Sequence, residues 1–229
     1  MKPNERIEAE LKGIASLRSK PWIELADDNT FAQDRQPGPW LELLGRINAK
    51  WFTESDWLIG ERPELLRRIA AAGCRQILIG LESPIHVYPG MGSKTASHDR
   101  MMRSISNIQR AGIVVNACFI VGADGETPQS IDRLAEFLEF APFGEIQVTL
   151  QTPFPGTKLF EQMQRDNRLL FDDFSRYTLF DVTFEPDAMS VEDLRTAFRN
   201  LITRVYGRDA SLRRAKRVHA IRRRRRDLA

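Results

Sequence analysis

The sequence predicts an α/β protein whose parallel strands curve into a partial barrel. Strand and helix patterns alternate along the 229 residues, which is typical of a parallel sheet covered by helices. Residues 77–81 form a nearly continuous apolar run, as expected of a strand buried on both faces. A polar segment follows each predicted strand, whereas a doubly wound sheet gathers its ligand groups near one switch point. We therefore favour the barrel over the open sheet.

The first half of the chain predicts three strands with helices between them. A charged helical pattern at the N-terminus precedes PWIELADD (21–28), the first strand, and PGPWLELLGRI (37–47), a helix with proline near its start. AKWFTES (49–55) is the second strand. PELLRRIAAAG (63–73) is an amphipathic helix that opens on proline and closes on glycine. The third strand lies within GCRQILIGLESP (73–84).

The second half continues the alternation. Residues 101–112 predict an amphipathic helix, and IVVNACFIVG (113–122) predicts a strand. Thr127 and Pro128 are an N-cap and first-turn pair for the next helix. EIQVTLQ (145–151) closes the series with strict alternation. Its polar side chains face the concave side and suggest a ligand there, with a hydrated barrel centre as the alternative: Gln147, Thr149 and Gln151.

Glu82 and Ser83 end the apolar third strand. A carboxylate buried there without partners would cost several kcal/mol or take up a proton, so we expect Glu82 where the strand ends and a ligand begins. The alternative is that Glu82 caps a loop or pairs with a surface arginine. Ser83 has no GxSxG context, which argues against serine nucleophile chemistry.

The charge distribution is uneven. The chain has 34 Lys and Arg against 31 Asp and Glu, and residues 213–226 hold nine of the basic residues and no acidic one. We therefore divide the chain into residues 1–206, the barrel with a C-terminal extension, and 207–229, a basic tail predicted to be disordered. The tail could instead bind phosphates. It lacks the interleaved aromatic residues that stack on bases, which argues against nucleic acid as a partner.

Several protein classes are excluded by missing patterns. The two cysteines, Cys74 and Cys118, are 44 positions apart and suit reduced packing thiols, and they form no metal-ligand cluster with the three histidines. There is no phosphate loop and no dinucleotide GxGxxG fingerprint. No apolar run is long enough to span a membrane, and the N-terminus is not a signal peptide, so we expect a cytoplasmic protein.

A family resemblance extends from residue 2 to about residue 206. The stretches that carry it include PWIELADDNTF, PELLRRIAAAGCRQILIGLESP, CFIVGADGETPQSI and QVTLQTPFPGTKLFEQMQRDNRLL. They resemble the radical S-adenosylmethionine (radical SAM) proteins of the type that carries a cobalamin-binding domain. The resemblance implies a partial (β/α)6 TIM-like barrel in which this chain supplies strands two to six and a helical C-terminal extension, while the first strand is missing.

The cofactors of the family are S-adenosylmethionine, a 4Fe-4S cluster and cobalamin. In the family, three thiolates of a CxxxCxxC motif hold the cluster, and we expect this motif just before Met1. Neither Cys74 nor Cys118 matches it. The cobalamin-binding domain has no counterpart in these residues either. The sequence therefore predicts no metal ligand in this chain, and its catalytic residues stay unassigned.

The resemblance also implies cofactor-binding positions. The segment after the first predicted strand would hold the amino group of S-adenosylmethionine, the end of the third strand would lie near its ribose, and the stretch 119–122 would pack against its adenine. Two glutamines are weaker candidates, and all of these residues could instead be hydrogen-bonding residues of the barrel interior. The candidates are Asp27, Asp28, Asn29, Glu82, Ser83, Phe119, Gly122, Gln147 and Gln151.

Two functional hypotheses follow. The first is a radical SAM protein, truncated or short at its N-terminus, whose family chemistry is cleavage of S-adenosylmethionine to start radical reactions such as methyl transfer on an unknown small molecule. The second is a non-catalytic ligand- or partner-binding module with a basic tail that contacts nucleic acid. In either case residues 21–28 would form an exposed edge strand, through which we expect self-association or pairing with an upstream domain.

Overall fold

The computed structural model describes residues 2–17, 21–32, 37–82 and 98–228. It contains one sheet of five parallel strands in the order β1-β2-β3-β4-β5. Because the strands follow the chain order without a switch point, the sheet is the partial barrel that the sequence predicts and not a doubly wound sheet. The strands are β1 (Trp22–Leu25), β2 (Lys50–Glu54), β3 (Cys74–Glu82), β4 (Val114–Val121) and β5 (Glu145–Leu150).

Helices connect the strands and extend the C-terminal part. They are α1 (Asn4–Ala15), α2 (Trp40–Arg46), α3 (Pro63–Ala71), α4 (His98–Arg110), α5 (Pro128–Phe140), α6 (Lys158–Arg165), α7 (Val191–Val205) and α8 (Arg208–Leu228). Among the residues described above, no helix is both long and apolar enough to cross a lipid bilayer.

The helix starts follow from local chemistry. The hydroxyl of Thr127 accepts a hydrogen bond from the Ser130 amide, and the Ser130 hydroxyl accepts one from the Thr127 amide, so α5 begins at a complete capping box. Ser190 and Asp193 form the same arrangement at α7. Each cap satisfies backbone N–H groups that have no partner inside the helix. The Thr-Pro start that the sequence predicts for α5 is therefore present.

The main core lies between the sheet and the helices. On β3, Ile77, Ile79 and Leu81 are buried against the helices, while the residues between them point to the other, concave face. Gly73 joins α3 to β3 with φ 102°, and a Cβ on it would collide with the carbonyl oxygen of Ala49. Only glycine fits this turn without strain, which agrees with its predicted place at the end of the helix.

The basic tail is helical, so the expectation of a disordered end is wrong for residues 208–228. Helix α8 crosses the amino-terminal ends of the strands, where its Val218 and Ile221 pack on Val114 of β4. Arg217 donates hydrogen bonds to the carbonyl oxygens of Ala141 (3.0 Å) and Phe143 (2.9 Å).

Arg225 makes the same kind of contact with the segment that joins α3 to β3. It donates hydrogen bonds to the carbonyl oxygens of Ala70, at 2.5 Å, and Cys74. Carbonyls at helix ends have no partner within the helix. The arginines are therefore ordered because they satisfy backbone acceptors at the base of the barrel, a role that a charge count along the sequence does not reveal.

The two edges of the sheet differ. At β5, the Tyr206 hydroxyl donates to the Ile146 carbonyl (3.0 Å) and accepts from the Val148 amide (3.3 Å). The Leu150 amide donates to the Leu179 carbonyl at 2.8 Å. The outer edge of β5 is thus largely satisfied. At the other edge, β1 pairs only with β2 within the described part of the chain.

Candidate active site at the carboxyl ends of the strands

Residues of three strands form a row across the concave face of the sheet. Gly80 of β3 pairs with Cys118 of β4, and Cys118 pairs with Gln147 of β5. The alternation predicted for β5 is present from Glu145 to Val148, because Ile146 and Val148 are buried on the helix side while Gln147 is exposed. Thr149, also predicted to face the ligand, is buried. The structure therefore brings Gln147 beside Cys118 on the face that the sequence assigns to a ligand.

Glu82 lies at the upper end of this row. Its φ is 56°, and the pairing of β3 with β4 is irregular between Gly80 and Glu82. This turn folds the Glu82 side chain back, so that Oε1 lies 3.0 Å from the point where a Cβ on Gly80 would stand. The absence of a side chain at Gly80 therefore makes room for the carboxylate on the concave face. Ser83, the other candidate at this strand end, lies outside the described residues.

The concave face is acidic. Burial raises the pKa of Glu54, at the end of β2, and the nearby carboxylates of Asp28 and Glu24 raise it further. Burial also raises the pKa of the Cys118 thiol to about 12, with contributions from Glu54 and Glu82. Burial is the larger cause of both shifts, and the neighbouring carboxylates add to it because they disfavour another negative charge. The face is therefore suited to a cationic ligand.

Asn29 holds the loops after β1 and β2 together. Its Nδ2 donates to Asp56 Oδ2 at 2.8 Å, and its Oδ1 accepts from the Ser55 hydroxyl at 3.2 Å. The amide of Asn29 thus already bonds the next loop, and Asp27 and Asp28 beside it are exposed. Of the three residues predicted to hold an amino group, the two aspartates are the ones that present carboxylates to solvent.

The turn after β4 depends on a residue that the sequence reasoning missed. Gly122 (φ 95°) and Ala123 donate their amides to Glu126 Oε2 at 2.6 Å and 3.3 Å, and Glu126 is only 2% exposed. The signal was present in the sequence VGADGE, where a glutamate follows two glycines. Glu126 fixes the backbone of Gly122, and this places the predicted adenine-packing turn at the rim of the face.

The Phe119 side chain lies on the other side of the sheet. It is 1% exposed, and its ring centroid is 5.7 Å from that of Phe143 in the core under the helices. Its ring is therefore not part of the concave face, contrary to its place among the cofactor-binding candidates, because alternation along β4 points it inward. By the same alternation, Asn116, Cys118 and Ile120 are the β4 residues that point to the concave face.

Gln151, the residue directly after β5, has a hydrogen-bond acceptor without a donor among the described residues. Its backbone N–H donates a hydrogen bond to the Val121 carbonyl at 2.8 Å. Its side-chain Oε1 is buried and has no hydrogen-bond partner among the described residues. A buried acceptor without a donor costs about 1 to 3 kcal/mol, and a bound ligand would remove this cost.

The described residues contain no group of three or more His, Cys, Asp or Glu side chains arranged to hold a metal ion. Cys74 is fully buried, and burial raises the pKa of its thiol to about 12. A cluster site of the family type needs three thiolates, whereas Cys74 and Cys118 are two residues on different strands, 44 positions apart. They therefore do not fit such an iron-sulfur cluster.

The barrel can be compared with known families once this geometry is established. Residues 34–138, a range that ends within α5, match the model of the radical SAM superfamily. Over this range the barrel is therefore similar to the radical SAM superfamily. Residues 157–227, which include α6, α7 and most of α8, match a domain of unknown function, DUF4070.

Two curated relatives cover most of the chain. The bacteriochlorophyllide d C-12(1)-methyltransferase of Chlorobaculum tepidum is 26% identical over 203 residues, which is 86% of this chain and 43% of that protein. The hopanoid C-2 methylase of Rhodopseudomonas palustris is 26% identical over 186 residues, which is 76% of this chain and 34% of that protein. The chain thus spans less than half the length of these relatives.

A solved structure has the same fold. The radical S-adenosylmethionine methyltransferase TsrM from Kitasatospora setae, with cobalamin and a [4Fe-4S] cluster bound, superposes with a TM-score of 0.60 at 12% identity. The superposition covers 98% of this chain and 54% of that one. The partial radical SAM barrel and the helical C-terminal part that the sequence predicts are therefore confirmed.

Proposed function

We propose that this chain is the S-adenosylmethionine-binding barrel of a radical SAM enzyme that transfers methyl groups. The observation that carries the proposal is the acidic concave face at the carboxyl ends of the strands, formed by Glu24, Asp28, Glu54 and Glu82. S-adenosylmethionine carries a positive sulfonium and a positive ammonium group, so this field attracts it. The place agrees with the usual position of ligands in parallel barrels.

Each candidate residue has a role that its chemistry permits. Glu82 accepts hydrogen bonds from the ribose hydroxyls, and Asp27 and Asp28 accept them from the ammonium group. Gln151 offers its buried Oε1 to an N–H or O–H donor of the ligand. Gln147 lies beside Cys118, where it can contact a substrate. S-adenosylmethionine supplies the methyl group when it is bound in this family.

The cluster and cobalamin of the family have no ligands that fit among the described residues. The family motif needs three thiolates, and this sequence has two cysteines, which lie on different strands. We therefore assign the barrel the binding and orientation of S-adenosylmethionine, and we derive no electron transfer from it.

The named relatives favour an enzyme over a non-catalytic binding module. Two of them are methylating enzymes by name, acting on bacteriochlorophyllide d and on hopanoids. We propose that the substrate here is likewise a small organic molecule that accepts a methyl group. We also propose a cytoplasmic location, because both cysteines carry free thiols, as is usual in a reducing compartment.

The binding proposal is tested by replacing Glu82 with alanine. We expect this variant to bind S-adenosylhomocysteine and S-adenosylmethionine about 10- to 100-fold more weakly, because a charge-assisted hydrogen bond is worth about 1.5 to 3 kcal/mol. Isothermal titration calorimetry gives both affinities. The matched control is Glu161→Ala on α6, an exposed glutamate outside the concave face, which is expected to leave the affinity unchanged. Equal affinities of the two variants, or no binding by the parent chain, would contradict the proposal.

We further propose that the outer edge of β1 pairs with another strand, either of a second copy or of an upstream domain. The edge has no neighbouring strand in the described residues, and Trp22 on it is 51% exposed. Unpaired strand edges bind other strands. A chain that also supplies the first strand of the family is expected to remain monomeric.

We therefore expect the 229-residue chain to form dimers or larger species in light scattering, and Trp22→Lys to shift it toward monomer. Phe140→Lys, which changes another exposed aromatic residue away from this edge, serves as the control. A parent chain that is monodisperse and monomeric would rule out this role of the edge.

A further inference from the structure

A cavity of about 520 Å³ opens at the base of the barrel, at the amino-terminal ends of the first three strands. We call it the basal cavity. Its functional side chains come from β1, β2, β3 and α8. Gly45 of α2, and Gly73 and Gly112 in the turns after α3 and α4, also line its wall. It lies at the end of the barrel opposite to the acidic face and shares no residue with it. The functional side chains of the cavity are Trp22, Lys50, Arg75, Arg222 and Arg225.

The basal cavity is strongly basic. Four of its lining residues are cations, and none of them is a carboxylate. The arginines are close enough to affect one another: after burial, the charge of Arg222 lowers the pKa of Arg75, and the charge of Arg75 lowers that of Arg225. Three guanidinium groups without a counter-charge repel one another, and a bound anion would remove this repulsion.

The hydrogen bonds show which of these arginines are free to bind a ligand. Arg225 is used structurally, because it donates to the carbonyls of Ala70 and Cys74. Arg75 has a buried Nε without a hydrogen-bond partner among the described residues. Arg222 is exposed on α8, and in the described part of the chain it has neither an ion pair nor a side-chain hydrogen bond.

Several other arginines of this protein have acidic partners, unlike Arg75 and Arg222 in the described residues. Arg100 pairs with Glu61 at 2.6 Å, Arg168 pairs with Asp124 at 2.6 Å, and Arg204 pairs with Glu139 at 2.8 Å. In contrast, no carboxylate from the described part of the chain lines the cavity beside Arg75. The Arg75 Nε is removed from water without an acceptor among these residues, which is unfavourable for a charged group. Because Arg75 also lines the cavity, an anion bound there would compensate the charge of its guanidinium group.

We propose that the basal cavity binds a phosphate group of a small ligand. Arginine side chains form paired hydrogen bonds with phosphate oxygens, and Arg75 and Arg222 are the residues with donors to offer. Lys50 adds a further positive charge, and the exposed indole of Trp22 offers a flat face to a ring attached to the phosphate. The volume is within the range of small-molecule sites.

The test uses pyrophosphate as the probe, at low ionic strength, with the full chain and isothermal titration calorimetry. We expect Arg222→Gln to weaken binding at least about 10-fold, as the loss of a charge-assisted interaction implies. The control is Arg224→Gln, which removes the same charge from an exposed arginine of α8 that does not line the cavity; we expect less than about a 2-fold change. Equal weakening by both variants would mean that binding follows net charge only and would overturn the proposal.

Four further arms make the result specific. Arg75→Gln is expected to weaken binding as Arg222→Gln does, provided that its circular dichroism spectrum matches that of the parent. Tighter binding of ADP than of pyrophosphate identifies a phosphate with an attached ring as the ligand, and equal binding identifies the phosphate alone. Binding of a single-stranded RNA oligonucleotide without pyrophosphate binding would overturn the proposal in favour of a polyanion surface. Glu82→Ala is expected to leave pyrophosphate binding unchanged, so the outcome is independent of the S-adenosylmethionine site.

Discussion

Replacing Trp51 with alanine is expected to lower the free energy of unfolding by about 3 to 5 kcal/mol. Trp51 lies on β2, has no exposed surface, and packs with its ring centroid 6.4 Å from that of Phe31. Its indole Nε1 donates a hydrogen bond to the Ala72 carbonyl at 2.8 Å. The substitution leaves a cavity between the sheet and the helices and also leaves this carbonyl without its donor. Urea unfolding followed by circular dichroism measures the loss.

Trp22 provides the matched control for this experiment. It is the same residue type on the neighbouring strand, but 51% of its surface is exposed. Trp22→Ala removes less buried apolar area, so we expect a loss below about 1.5 kcal/mol. A comparable loss for the two variants would mean that the core does not lie between the sheet and helices as described.

Ending the chain after Gly207 is expected to cost about 5 kcal/mol or more, which is comparable with the whole stability of a typical domain. The deletion removes α8 and exposes Val114, which Val218 and Ile221 cover. It also removes the arginine donors to the carbonyls of Ala141 and Phe143. We expect the shortened chain to be insoluble or to unfold without a cooperative transition in thermal denaturation.

Two single substitutions separate the contacts of α8 from its charge. Arg217→Ala is expected to lower the free energy of unfolding by about 1.5 to 3 kcal/mol, because two backbone carbonyls lose a charged donor. Arg224→Ala removes the same charge from an exposed position and is expected to change it by less than about 0.5 kcal/mol. If the shortened chain unfolds like the parent, α8 does not stabilise the fold, and the tail is a solvated end, as its composition indicates.

The order of the elements was predictable because each element is encoded locally. The strands predicted at 49–55 and 145–151 are present as Lys50–Glu54 and Glu145–Leu150, with ends shifted by one residue or less. The Thr-Pro start of α5 and the glycine after α3 follow from hydrogen bonding and φ preferences within a few residues. The family resemblance added the type of barrel, which local patterns do not contain.

Part of the candidate site was predictable for the same reason. The apolar run of β3 predicted that Glu82 lies at the end of that strand. Alternation along β5 predicted that the Gln147 side chain points to the concave face. Alternation along β4 likewise accounts for the burial of the Phe119 side chain under the helices. The use of Asn29 as a bridge between two loops was not predictable, because its partner Asp56 is 27 positions away.

The sequence by itself therefore determined the alternating strands and helices, the acidic groups at the strand ends and the superfamily. Only the tertiary structure decided the state of the basic tail. Composition treats its arginines as solvated charges, whereas the fold brings Arg217 and Arg225 to backbone carbonyls 74 or more positions away. The same packing places Arg75 of β3 beside Arg222 of α8 in the basal cavity. Such contacts depend on which segments of the chain are neighbours in the folded structure. The local pattern of apolar and polar residues does not contain this information.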